Sequence, residues 1–222
     1  MLILAFDTAT PAGSVALVDG ERTLVSRYFD VGLQHHQRLF VEVEDALKMA
    51  GCTFDQVGAI AVSIGPGSFT GLRLGLSAAK GFCLARELPL VTVSTLEVLA
   101  ARLPFARHPV CPMLDARRGE VYTALYDTGA GRPRLLEAPR ALAPQALMAE
   151  RAGVPTLFTG DGALAYRELV AACPQAVQAP FPCSRPEAAA LGWLALARLE
   201  AGEVADLVSV EPEYLRGPGV GT

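Results

Sequence analysis

Residues 2–28 read LILAFDTATPAGSVALVDGERTLVSRY. Leu2–Asp7 is an apolar run closed by a carboxylate, the pattern of a buried strand that ends at a polar turn. Ser14–Val18 alternates small and apolar residues, and Asp19-Gly20 supplies the tight turn of a hairpin. Arg22–Tyr28 returns as a third strand carrying Leu24 and Val25. Three antiparallel strands therefore open the chain.

Working outward, Leu39, Val43, Ala46, Leu47 and Ala50 recur at helical spacing and predict a helix over Gln34–Ala50, with Gly51 as its C-cap. Ala59–Ile64 is a continuous apolar run that stops at glycine, as a buried strand does. Gly65-Pro66-Gly67-Ser68-Phe69-Thr70-Gly71 is a glycine-rich turn, and a second helix runs from Gly71 to Arg86. Leu90–Val93 is a short strand, and Ser94 with Glu97 has capping-box spacing for a helix reaching Arg102. Pro104–Pro109 marks a boundary. Beyond it lie strands at Val110–Leu114, Glu120–Asp127 and Thr156–Thr159, with a turn at Ala116–Gly119 and a loop at Thr128–Pro133. Helices are expected at Pro144–Arg151, Ala163–Ala172 and Glu187–Ala201, the last holding the only tryptophan, Trp193. Pro174–Pro186 reads as irregular, and the tail from Val210 is expected to fray. Each half begins with strands and continues as alternating helix and strand, without a repeat at fixed period. The expectation is an α/β protein with mixed sheets, an N-terminal lobe over 1–103 and a smaller C-terminal lobe over 104–222.

The chain has 222 residues, 51% hydrophobic and 19% charged, which excludes intrinsic disorder and supplies a core without disulfides. The net charge of −4 argues against a surface that grips a nucleic-acid backbone unaided, though not against service in a complex that does. No run of about 20 residues is free of charges and turn formers, so no membrane span is expected. Leu2–Phe6 is too short for a signal peptide. Five scattered cysteines without a C-x-x-C pair fit a reducing cytoplasm.

Three features could carry chemistry. Asp7-Thr8 followed by Gly13-Ser14 can hold a magnesium water and a phosphate, or can simply cap its own turn. Gly65–Gly75 places a glycine-rich loop between strand and helix, where an anion could dock, but it is neither G-x-x-x-x-G-K-[ST] nor G-x-G-x-x-G. In the following helix Gly71, Gly75 and Ala79 fall four apart, as do Ser77, Gly81 and Ala85. Glycine in a helix costs about 1 kcal/mol relative to alanine, so these rows imply close approach of another backbone, either the chain's own sheet or a partner. His35-His36 are adjacent and lack an i, i+4 histidine, so they do not form a zinc site. No G-x-S-x-G elbow is present. Asp115-Ala116-Arg117-Arg118-Gly119-Glu120 is the one dense charge cluster.

Ile3-Leu4-Ala5-Phe6-Asp7-Thr8, the segment Gly65–Gly75 and Leu114–Tyr122 resemble the TsaB (YeaZ) family. His35–Leu39, Thr159–Ala163 and Pro212–Arg216 fit its other blocks in order. The resemblance implies a two-lobed, actin-like, RNase H-like fold of the sugar kinase/Hsp70/actin superfamily, with the RNase H-like N-terminal lobe bearing the partner interface. It implies a non-catalytic subunit that helps install N6-threonylcarbamoyladenosine at position 37 of tRNAs reading ANN codons. Its partners would be TsaD, the metal-bearing paralogue, and TsaE, a small ATPase, with tRNA reached indirectly and a homodimer formed in isolation. The family's interface lies on the first two helices, which implies His35, Leu39, Phe40, Val43 and Leu47 on one and Leu72, Gly75, Leu76 and Ala79 on the other. Gly75→Leu would then block association and leave the monomer folded. No cofactor or metal of its own is expected, and ATP or ADP only within the complex. Asp7, Thr8, Gly65 and Gly67 are the candidate nucleotide contacts. The alternative is an ATPase or phosphotransferase of the same fold that uses Asp7; a metallopeptidase is disfavoured by the missing H-x-x-x-H.

Overall fold

The computed structural model describes residues 1–20, 22–30 and 35–215, with side chains in the first helix described from Arg38. Strands β1 (Leu2–Asp7), β2 (Gly13–Asp19) and β3 (Arg22–Phe29) form the expected antiparallel meander, in register from Leu2 opposite Asp19 to Asp7 opposite Ser14. Parallel strands β4 (Val57–Gly65) and β5 (Leu90–Ser94) extend it beyond β1, giving the order β3-β2-β1-β4-β5. Helices α1 (His35–Ala50) and α2 (Phe69–Arg86) lie on the crossovers into β4 and β5. Side chains alternate across a strand. Leu4, Phe6, Val15 and Leu17 therefore share one face, and they pack with Leu39, Val43, Leu76 and Cys83. Ala5 and Val18 share the other face, where a Cβ on Gly192 of α7 (Ala188–Glu200) would press into them. Burial on both faces explains why β1 is apolar from Leu2 to Phe6.

Arg27 on β3 ties down α1, with Nε at 2.5 Å from the buried Glu42 and a terminal nitrogen at 3.4 Å from Asp45.

The second compact unit contains α3 (Thr95–Ala101), which enters it from the first, then β6 (Val110–Asp115), β7 (Val121–Asp127) and β8 (Arg134–Leu142). There follow α4 (Pro144–Arg151), β9 (Thr156–Thr159), α5 (Asp161–Ala165), α6 (Arg167–Ala172) and β10 (Ala176–Gln178). Its sheet order is β10-β9-β6-β7-β8, with β6, β7 and β8 antiparallel and β6, β9 and β10 parallel. Counted from its own first strand this is the topology of the first sheet. The duplication of a five-stranded mixed sheet is the actin-like fold.

Several boundaries differ from expectation. By contacts the units are Met1–Thr95 with Glu187–Glu213, and Leu96–Pro186 joined by the chain from Tyr214. The first division falls before residue 103 because Leu96, Leu99 and Ala100 pack with Val110, Leu114 and Tyr126. Helix α7, expected in the C-terminal lobe, belongs to the first unit because it covers the second face of that sheet. Strand β8 was not expected: Arg134, Glu137 and Arg140 interrupt its alternation, and it is an exposed edge. The tail does not fray at Val210. Ala205, Leu207 and Val210 pack on the first core, and the N–H groups of Ala205 and Glu213 donate to Leu90 O (2.8 Å) and Ile64 O (2.7 Å).

Among the described residues no helix is long and apolar enough to cross a membrane.

Candidate functional site

The first candidate is the end of β1. Asp7 is 1% exposed. One carboxylate oxygen accepts the Ala9 N–H at 3.1 Å, and the other takes a short hydrogen bond from the Ser63 hydroxyl on β4. Burial pushes its carboxyl up to about 6, with the Ser63 and Ala9 hydrogen bonds acting in the opposite direction. Thr8 Oγ1 donates to Gly71 O at 2.7 Å, and Ser68 N–H donates to Ala9 O at 2.7 Å. The glycine-rich loop thus lies directly on the Asp7–Ala9 turn. A Cβ at Gly67 would overlap Ala9 O, one at Gly71 would overlap Thr8 O, and one at Gly75 would overlap Thr8 Oγ1. At Gly65 it would meet Glu213 O at 2.5 Å.

The structure brings Asp7, Thr8, Gly65 and Gly67 together, as expected of a nucleotide site. The Asp7 carboxylate and the Thr8 hydroxyl, however, are already engaged by Ser63, the Ala9 N–H and Gly71 O. A magnesium-water ligand needs a carboxylate oxygen open to solvent, and Asp7 offers none. Among the described residues no three His, Cys, Asp or Glu side chains gather as a metal-ligand set.

The second candidate is the outer surface of α1 and α2. The two small-residue rows of α2 separate cleanly. Gly71, Gly75 and Ala79 are buried and face the sheet. Ser77, Gly81 and Ala85 are exposed, and a Cβ on Gly81 would meet nothing within 4 Å. Phe40, Leu74, Ser77, Ala78, Gly81 and Phe82 line an apolar groove of about 310 Å³. Phe82 makes edge contacts with Phe40 (5.8 Å) on the groove side and with Phe6 (6.2 Å) in the core. Leu84 adds a further exposed apolar side chain.

This geometry corrects the residue assignment. Leu39, Val43, Leu47, Leu72, Leu76 and Ala79 are buried in their own core and present no surface. Gly75 faces Thr8, so a leucine there would disrupt the fold rather than only an association. Phe40 remains at the surface, 52% exposed. The side chain of His35 lies outside the described residues. The expected interface set left out Leu74, Gly81, Phe82 and Leu84 because helical spacing shows two faces without saying which one the sheet occupies.

A protein-family model described as tRNA N6-adenosine threonylcarbamoyltransferase, TsaD, matches residues 30–220. The tRNA threonylcarbamoyladenosine biosynthesis protein TsaB of Bacillus subtilis (strain 168) is 31% identical over 173 residues, 77% of this chain and 75% of its own. YeaZ from Pseudomonas aeruginosa superposes with a TM-score of 0.83 at 34% identity, covering 96% of this chain and 99% of that one. The chain belongs to the TsaB (YeaZ) family. The Escherichia coli (strain K12) TsaB protein is 44% identical over 130 residues, so the chain spans about half, 55%, of that relative's length. The ethanolamine utilization protein EutJ from Carboxydothermus hydrogenoformans, at 13% identity and a TM-score of 0.54, shares the fold alone.

Proposed function

We propose that this chain is a non-catalytic scaffold and activating subunit of the cytoplasmic complex that installs N6-threonylcarbamoyladenosine at position 37 of tRNAs reading ANN codons. It pairs with TsaD through the α1/α2 groove and recruits TsaE, and two copies pair through the same groove when it is alone.

The observation that carries this reading is Gly81. A glycine inside a helix costs about 1 kcal/mol against alanine. At Gly75 that cost is offset by the approach of Thr8. At Gly81 nothing among the described residues occupies the space a side chain would fill. A second backbone seated in the groove would use that space, flanked by the apolar area of Phe40, Leu74, Phe82 and Leu84. A lasting contact buries on the order of 1,200–2,000 Å² in total, so the groove would be its centre rather than its whole. The engaged carboxylate of Asp7 supports the non-catalytic role, and ATP or ADP would enter only with the complex.

Gel filtration of this chain with its TsaD partner tests the reading. Co-elution is expected, and it should be lost in Gly81→Glu, whose new side chain points into open groove and leaves the monomer folded. Separate elution of the wild-type proteins refutes the proposal.

A further inference from the structure

The hairpin between β6 and β7 closes through a tight turn of positive-φ residues, two of which are not glycine. Arg117, Arg118 and Gly119 all have left-handed backbones, with φ of 61°, 55° and 76°. For each arginine that conformation costs on the order of 1–2 kcal/mol. It is held from below by two carboxylates in series. Asp161, at the start of α5, accepts the Asp115 N–H at 3.0 Å, and Asp115 accepts the Arg117 N–H at 2.8 Å. The Ala116 N–H closes the loop onto Glu120 O at 3.0 Å. Gly160 and Gly162 let the α5 turn lie against Met113 O, where a Cβ at either would clash. The tip, in contrast, is open: Arg117, Arg118 and Gly119 are exposed, and a Cβ on Gly119 would meet no atom of the described residues within 4 Å. Strain held by a rigid base and carried to an exposed tip marks a place where presentation matters.

Charge says what is presented. Met1–Thr95 with Glu187–Glu213 carries eight Lys and Arg against fifteen Asp and Glu. Leu96–Pro186 carries ten Arg, no Lys, and eight Asp and Glu. Several of those arginines are held by carboxylates: Arg134 by Asp127, Arg140 by Glu150, Arg151 by Glu137, and Arg185 by Asp161. Arg117 stands 3.4 Å from Asp115. Arg118 makes no ion pair among the described residues. A guanidinium presents a planar fork of donors that matches a phosphate. The tip has no apolar side chain to anchor a protein contact, whose core is normally aromatic or aliphatic.

We propose that the Arg117–Gly119 turn is a direct contact for the sugar-phosphate backbone of the tRNA, with Arg118 as the phosphate-binding side chain. This deepens the proposed function, since it rests on the chain serving a tRNA-modifying complex, and it makes the contact direct rather than only through TsaD. A phosphate contact of this kind positions the RNA without reading its sequence.

The test is filter binding of an unmodified tRNA transcript, across a salt series, to the chain alone and to the chain assembled with TsaD. Arg118→Glu is compared with Arg118→Lys and wild type, and thermal melts verify the fold of each. The expected result is a loss of roughly three- to tenfold in affinity for Arg118→Glu, with the log–log salt slope reduced by about 1, and a smaller loss for Arg118→Lys. Unchanged affinity and slope in a folded Arg118→Glu protein overturns the proposal, as does the absence of tRNA binding by wild type in both forms. Impaired TsaD association with unchanged tRNA affinity also overturns it, making the turn a protein contact. If TsaD does not associate at all, the subunit reading falls separately, and the wild-type and Arg118→Glu affinities of the chain alone still decide this proposal.

Discussion

Asp7→Asn gives the sharpest view of how the actin-like framework is used here. The Asp7 carboxyl is raised from 3.8 to about 6 in the folded chain because it is buried. A shift of about 2 pKa units corresponds to roughly 3 kcal/mol of preference for the neutral form. The folded state therefore holds its proton more tightly than the unfolded state does. Between about pH 4 and pH 6 the native protein binds more protons, so stability falls as pH rises and is lowest above 6. Asparagine has the same shape and no charge to bury. Its carbonyl can accept the Ala9 N–H, and its amide can donate to Ser63. Urea unfolding of both proteins at half-unit steps from pH 4 to pH 7.5 isolates the Asp7 contribution, since every other titrating group is common to the two. The stability of wild type relative to Asp7→Asn should fall by about 2.5 kcal/mol across that range, with most of the change below about pH 6.5. Parallel profiles, or a wild type that gains on the variant as pH rises, would mean that Asp7 is solvated and open. The closed-turn account would then be wrong.

Three further outcomes follow from the packing. Gly75→Leu should leave no folded monomer in thermal melts, because its side chain would enter the space of Thr8; even Gly75→Ala should cost about 1–3 kcal/mol by displacing the Thr8 hydroxyl from Gly71 O. Gly81→Ala should instead raise stability by about 1 kcal/mol, read as a higher melting temperature, since the new methyl has free space and relieves the helix of a glycine. Ending the chain after Gly202 should lower stability by about 2–4 kcal/mol in urea melts. That truncation strips Ala205, Leu207 and Val210 from the first core, with the N–H bonds to Leu90 and Ile64. An unchanged urea midpoint would show that the segment is only a tail.

The strands and helices of the first unit were legible because their periods are strong. The β1–β2 hairpin follows from an apolar run and Asp19-Gly20, and α1 from its recurring Leu39, Val43, Ala46 and Leu47. Strand β8 was not legible, because an exposed edge strand carries no hydrophobic alternation and this one also contains Pro139. Attachment of α7 to the first sheet depends on Gly192 meeting Ala5 and Val18, which no local pattern reports. The candidate sites failed in the same way. The Asp7 motif was visible, but its partner Ser63 lies 56 residues away, and with it the fact that the turn is closed. The Asp115 hairpin was visible as a charge cluster, while Asp161, which fixes it, lies 46 residues on. Resemblance pointed to α1 and α2, but a helix has an inward and an outward face, and both rows of α2 are small. Only burial distinguishes Gly75 from Gly81.

The central claim is that the outward face of α1 and α2 is a docking surface for TsaD. Sedimentation velocity of the purified chain mixed with TsaD, as wild type and as Gly81→Glu, addresses it most directly. The account predicts a heterodimer with wild type and two separate, folded monomers with the variant. A heterodimer that forms equally well with Gly81→Glu would place the partner elsewhere and contradict the account.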